Sequence, residues 1–173
     1  MKKHHITLSA VRRLLYFTLI SLSYILQFII IPKTALPFPL LLLIPVTVSV
    51  AMHETEPASL LWGLLAGVLW DLASPVTDGL YALIFPVLFL ITGLLTRYVL
   101  RNTCLTATIF TAVFSVIPSA LGIIYDKDTL TGKFIASVIK AEALPAIITS
   151  VIILVPVYFI ISAADRRFTT ERL

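Results

Sequence analysis

Apolar residues recur along this chain in six runs that are separated by short polar or proline-containing links. The runs cover residues 14–31, 38–52, 58–72, 79–95, 105–124 and 144–161. Several are shorter than the ~20 residues that a perpendicular membrane helix needs. The pattern predicts an all-α integral membrane protein, a six-span helical bundle that forms one transmembrane domain over residues 1–173.

Prolines modify this prediction for individual runs. Pro45 stands in the middle of the second run. A proline inside a helix removes a backbone hydrogen bond, so we expect this segment to be bent, tilted or partly inserted. Pro86, Pro118 and Pro156 predict kinks in the fourth, fifth and sixth runs. Because the links between the first four runs are short, these segments are expected to be antiparallel neighbours.

The composition excludes an ordinary soluble domain. Of 173 residues, 59% are hydrophobic and 13% are charged, whereas soluble domains carry about 25% charged residues.

No Ala-x-Ala cleavage site follows the first run, which we therefore interpret as a retained span. The single Cys104 excludes an intrachain disulfide. The net charge of +4 is not interpreted as a sign of nucleic-acid binding. In a membrane protein the positions of Lys and Arg indicate how the chain is oriented in the bilayer.

The positive charges predict the orientation. With six spans, nine of the thirteen Lys and Arg residues fall on one side: Lys2, Lys3, Arg12, Arg13, Arg97, Arg101, Arg166, Arg167 and Arg172. The other side receives Lys33, Lys127, Lys133 and Lys140. Positive charge accumulates in cytoplasmic segments, so we expect both termini in the cytoplasm.

The most distinctive motif lies in the third run. Gly63, Gly67 and Asp71 recur every four residues, and on a helix they fall within about 80° of one another. Two such glycines allow another helix to approach closely. A carboxylate on this stripe should face protein or water, since exposing it to lipid costs roughly 2.5–3.5 kcal/mol. Two interpretations remain: a packing seam whose acid caps the next turn, or an interaction site. Gly79 then opens the fourth run.

The longest polar link covers residues 125–143. Its Phe134, Val138 and Ala141 share one face of a short predicted helix. One interpretation is an amphipathic helix on the outer surface. The other is a docking element for an extracytoplasmic partner.

Candidate chemistry is sparse. His53, Glu54 and Glu56 stand together but lack the two-histidine spacing of a metalloprotease, so we expect a solvated cytoplasmic turn. Glu56 and Pro57 suit the start of the third helix. No converging catalytic set is evident, and we expect no enzymatic activity, metal or cofactor.

With Gly63, Gly67, Asp71, Gly79 and an Arg97 that closes the fourth span, the chain resembles the bacterial rod shape-determining protein MreD family. The motif covers residues 56–97. The resemblance implies a non-enzymatic inner-membrane subunit of the cell-elongation (elongasome) complex, which supports peptidoglycan synthesis and cell shape. It implies MreC as the direct partner, with MreB, RodA and a class B penicillin-binding protein beside it.

MreD proteins are also similar in fold to the S components of energy-coupling-factor transporters. The alternative function is therefore a vitamin-binding subunit with an outward pocket. The sequence offers few polar groups for such a pocket, namely Asp71, Asp78, Tyr81 and Tyr125. The scaffold is the favoured interpretation.

Overall fold

The structure, a computed structural model, describes residues 2–30, 41–74, 79–100, 102–125 and 144–170. These residues form six helices and no strand. The helices are α1 (Lys2–Ile25, continued by the π-helical segment Leu26–Ile30), α2 (Leu43–His53), α3 (Glu56–Ala73), α4 (Leu80–Tyr98), α5 (Cys104–Tyr125) and α6 (Leu144–Thr170). Each predicted run overlaps one helix, so the all-helical prediction is confirmed for the described part of the chain.

Three described stretches are long and apolar enough to cross a membrane: Ala10–Ile30, Leu80–Tyr98 and Leu144–Asp165. The apolar stretches Leu43–His53 and Cys104–Pro118 are shorter. The 11 residues of α2 extend about 16 Å, roughly half the ~30 Å of hydrocarbon in a bilayer. The chain is a helical membrane protein, and the count of six complete spans stays a prediction.

Helix α2 is the centre of the bundle. Every residue from Leu43 to Met52 is buried, and α2 contacts all five other helices. A helix that is apolar on every face has no side for water, so it takes the interior position. Its two buried hydroxyl side chains are satisfied locally, since Thr47 Oγ1 donates to Leu43 O at 2.7 Å and Ser49 Oγ donates to Pro45 O at 2.8 Å.

The expectation of a bend rested on Pro45 standing in the middle of a helix, and this premise was wrong. Helix α2 begins at Leu43, so Pro45 lies in the first turn, where an N–H has no intrahelical partner anyway. The preceding N–H groups are satisfied by another helix: Gln27 Oε1 accepts from the amides of Leu42 (2.7 Å) and Leu43 (2.8 Å). Pro86, Pro118 and Pro156 do lie inside α4, α5 and α6.

The bundle is apolar outside and partly polar inside. Large apolar side chains face outward along α3 to α6, among them Leu61, Leu64, Val68, Leu83, Val87, Ile91, Ile109, Val113, Ile148 and Ile152. Several hydroxyl side chains are fully buried instead: Thr47, Ser49, Ser59, Thr92, Thr111, Ser115 and Ser150. An apolar exterior of this extent suits lipid as the solvent, and hydroxyl groups between helices suit packing within a membrane.

The first four helices alternate in direction, as their short links predict. Ion pairs join Arg12 on α1 to Glu54 and Asp165, and Arg97 at the end of α4 to Glu56. The start of α1, the α2–α3 link and the ends of α4 and α6 therefore lie at one end of the bundle. We call this the charged end. The predicted nine-to-four asymmetry of positive charges depends on this arrangement. The assignment of the charged end to the cytoplasm stays a prediction.

Candidate helix-packing and interaction site

The glycine stripe of α3 lies directly against α4. A Cβ built on Gly63 would lie 2.8 Å from Phe85 O and 2.9 Å from Phe89 Cβ. A Cβ on Gly67 would clash with Tyr81 O and lie 2.8 Å from Ala82 Cα. Real side chains do not approach backbone this closely, so the two helices can meet here only because both positions are glycine. Helix α3 packs more extensively on α4 than any other pair of helices pack on each other.

Helix α4 supplies a reciprocal small residue that the sequence analysis missed. A Cβ on Gly93 would lie 2.8 Å from Ser59 Oγ. Ser59 stands four residues before Gly63, so the stripe of α3 begins one helical turn earlier than predicted. Its hydroxyl donates to Ala51 O at 2.9 Å and to Thr55 O at 3.1 Å, which ties α3 to α2. The continued four-residue spacing was the signal that could have revealed Ser59.

Asp71 caps the start of α4 from the neighbouring helix. Its Oδ1 accepts a hydrogen bond from the amide of Tyr81 at 3.2 Å, and its Oδ2 accepts one from the amide of Ala82 at 2.7 Å. These are N–H groups of the first turn, which have no intrahelical acceptor. The residue at the N-cap position is Gly79, which has no side chain to accept them. A carboxylate at a helix N-terminus also interacts favourably with the helix dipole.

Gly79 is required for its backbone conformation. Its φ is +87°, in the left-handed region that residues with a Cβ rarely adopt. A Cβ at this position would meet nothing within 4 Å, so space is not the constraint. The positive φ allows the chain to turn from α3 into α4, and Asp71 then caps the helix that begins there.

We call helices α3 and α4 together the α3–α4 hairpin. An ion pair joins its two helices at the end opposite to Asp71. Arg97 Nη1 lies 2.9 Å from both carboxylate oxygens of Glu56. The Arg97 side chain is 57% exposed and that of Glu56 is 19% exposed. Solvent screening therefore keeps the contribution of this pair small. Glycine packing and the Asp71 cap are the contacts that set the geometry of the α3–α4 hairpin.

Aromatic rings connect this hairpin to the rest of the bundle. Trp70 on α3 lies 5.4 Å from Phe28 of the π-helical segment and 5.4 Å from Tyr81 on α4, measured between ring centroids. Phe89 continues the contact to Phe114 on α5 at 5.5 Å. Edge-to-face and tilted pairs at these distances are favourable and directional. Close approach of α3 and α4 is what brings these rings into register.

Glu54, in the link between α2 and α3, has a buried and ion-paired side chain, which corrects the expectation of a solvated turn at this residue. The Glu54 side chain is only 2% exposed and lies 3.0 Å from Arg12 Nη2. Arg12 Nη1 contacts Asp165 Oδ1 at 2.9 Å. His53 Nδ1 lies 2.8 Å from the carbonyl oxygen of Ser49, which can only accept. Arg12, Glu54 and Asp165 form a charged triad. This triad could not be recognised from the sequence, because its members are 42 and 111 residues apart.

A polar cavity of about 380 Å³ adjoins the triad at the charged end. Asn102 on its wall donates from Nδ2 to Met52 O at 3.2 Å and accepts from the Tyr158 hydroxyl at 3.0 Å. No group of three or more His, Cys, Asp or Glu that could hold a metal occurs among the described residues. Phe134, Val138 and Ala141, the predicted docking residues, lie outside the described ranges.

Comparison with known proteins identifies a family for this arrangement. The model of the family "rod shape-determining protein MreD" matches residues 7–165. The match includes helices α3 and α4 and all three residues of the charged triad. No curated protein and no solved structure matches the chain.

Proposed function

Because this chain belongs to the MreD family of rod shape-determining proteins, we propose that it is a non-enzymatic subunit of the cell-elongation complex. In this role it supports peptidoglycan synthesis and the regulation of cell shape through MreC. Its location is the bacterial inner membrane, with both termini in the cytoplasm. The nine-to-four distribution of positive charges supports that orientation.

The observation that carries the proposal is the construction of the α3–α4 hairpin. Gly63 and Gly67 are in contact with the backbone of α4, and Asp71 accepts hydrogen bonds from its first turn. The distinctive residues therefore build a rigid unit, and none of them is presented to a substrate. Catalysis needs converging nucleophilic, acidic or basic groups, whereas a scaffold needs a fixed shape.

The occupied stripe also limits where a partner can bind. Since α4 already covers Gly63 and Gly67, a membrane helix of MreC must pack on an outward apolar face of the bundle. In lipid such association depends on close packing and shape, because lipid chains are as apolar as the side chains. A rigid hairpin keeps that shape constant. Residues 125–143, with Phe134, Val138 and Ala141, are proposed to meet the outer domain of MreC.

The other members of the complex are proposed to associate through this chain and MreC. They are MreB on the cytoplasmic side, RodA and a class B penicillin-binding protein. The family match does not support the vitamin-transporter alternative.

Co-purification from membranes is the direct test. A tagged chain expressed with MreC should retain MreC in mild detergent. Gly67→Leu should lose it, because the leucine forces α3 away from α4, whereas Leu83→Phe on the exposed face of α4 should leave the hairpin intact. A tagged chain that released MreC while binding a small molecule stoichiometrically would overturn the scaffold function.

A further inference from the structure

A groove separates α1 from α3 on the outer surface of the bundle, near the charged end. Its volume is about 460 Å³. Phe17 of α1 forms one wall, and Leu61, Trp62 and Leu65 of α3 form the other. Helices α1 and α3 touch only sparsely, which leaves the space between them open.

The dimensions of the groove match one leaflet of a membrane. From Pro57 to Leu65, both of which line it, α3 rises about 12 Å, against roughly 15 Å of hydrocarbon in one leaflet. Phe17 and Leu61 are 49% and 61% exposed, so the groove opens toward the lipid side. An elongated apolar space of this length, parallel to the helices, suits a single acyl chain.

A positively charged side chain, that of Arg13, lies at one end of the groove. Arg13 lines it and is exposed. The neighbouring arginines are already paired, Arg12 with Glu54 and Asp165 and Arg97 with Glu56. Arg13 has no ion-pair partner within the described ranges. A guanidinium group next to an apolar groove, at the end where a membrane surface would lie, is complementary to a phosphate group.

We propose that this groove is a binding site for an anionic phospholipid. One acyl chain lies against Phe17, Leu61 and Leu65, and the headgroup phosphate accepts hydrogen bonds from the Arg13 guanidinium. The site selects anionic over zwitterionic lipid because a net negative headgroup interacts more favourably with an unpaired arginine. The proposal does not depend on the partner that the protein has in the elongation complex.

Trp62 provides the reporter for a test, because it forms part of the groove wall. The other tryptophan, Trp70, is buried near the opposite end. The purified chain is titrated in mixed micelles with phosphatidylglycerol or phosphatidylcholine that carries brominated acyl chains, which quench nearby indole fluorescence. Trp62→Phe identifies the signal of Trp62. Saturable quenching at a lower mole fraction of phosphatidylglycerol than of phosphatidylcholine is the expected result.

Four variants separate charge from shape. Arg13→Gln should raise the mole fraction of phosphatidylglycerol at half-quenching about fivefold, while Arg13→Lys should restore most of the affinity. Ala58→Phe, which fills the groove, should abolish the saturable component with either lipid. Leu83→Phe places the same phenyl ring on the exposed face of α4 and should change nothing.

Two results would overturn the proposal. Equal quenching by both lipids, unchanged in Arg13→Gln, would show ordinary lipid contact without a site. Retention of saturable quenching in Ala58→Phe, combined with loss of MreC on co-purification, would show that the groove receives a protein helix. Arg13 is exposed, so its substitution is expected to leave the fold intact even if Ala58→Phe does not.

Discussion

Replacement of Asp71 by alanine tests the central contact of the hairpin. The change removes both acceptors of the Tyr81 and Ala82 amides. Gly79 cannot replace them, because it has no side chain, and the first turn of α4 has no intrahelical acceptors. Neither water nor lipid restores the carboxylate charge that favours a helix N-terminus.

The size of the effect follows from these two hydrogen bonds. Bonds to charged groups contribute about 1.5–3 kcal/mol each, and loss of a helix cap costs about 1 kcal/mol. Asp71 is half-buried and one of the bonds, at 3.2 Å, is long. These two bonds are themselves the cap, so we take the low end for the pair, about 3 kcal/mol, with no separate addition for the cap. In a protein of this size this corresponds to a melting temperature roughly 6–12 °C lower.

Thermal unfolding of the purified protein in one detergent measures this shift. Asp78→Ala is the matched control, since Asp78 stands in the turn sequence beside Gly79 and is interpreted as an ordinary turn residue. Asp71→Asn should lie between Asp71→Ala and the parent, because it keeps one acceptor oxygen and loses the charge. Complementation of a rod-shaped host that lacks its own MreD should follow the same order.

Equal melting temperatures for Asp71→Ala and Asp78→Ala would refute the reasoning. The same is true of equal complementation by the two variants. Either outcome would mean that α4 does not depend on an acceptor from α3.

Further predictions concern the other contacts. Gly67→Leu should lower folded yield and thermal stability in detergent, and unchanged stability would show that the stripe faces lipid. Gly79→Ala should destabilise by about 1–3 kcal/mol through its positive φ alone, and Gly79→Asn by less, which comparison of their melting temperatures checks. Glu54→Ala should cost about 1–3 kcal/mol, because Arg12 keeps only Asp165 as a partner, against less than about 1 kcal/mol for Arg97→Ala; similar melting temperatures would contradict the burial of the triad. A reporter fused after Leu173 should be active in the cytoplasm, and activity only outside would reverse the orientation.

Much of the local structure was accessible from the sequence. Each apolar run contains a helix because in a membrane environment every backbone group must find its partner within its own segment. The stripe of Gly63, Gly67 and Asp71 was recognisable because helical periodicity places residues four apart on one face. The expectation that Asp71 would face protein or water was also available, since a carboxylate facing lipid is costly.

Some features required knowledge of distant neighbours. The sequence does not show that Gln27 would cap α2 from 15 residues away, or that Glu54 would meet Arg12. In isolation His53, Glu54 and Glu56 are typical of an exposed polar link. Burial of a charge is tolerated only when its partner is in place, and partner positions depend on how the helices pack.

The sequence by itself thus determined the class of protein, the positions of its helices and the residues that allow close packing, because these depend on hydropathy and on contacts within a few residues. The tertiary structure decided which helix lies at the centre, where Asp71 directs its two oxygens, and which charges are buried. Helix α2 is short and apolar on all faces, and either a partly inserted segment or a buried core helix would fit that pattern. Only the packing of five other helices around it selects the second arrangement, since that packing removes every residue from Leu43 to Met52 from lipid and water.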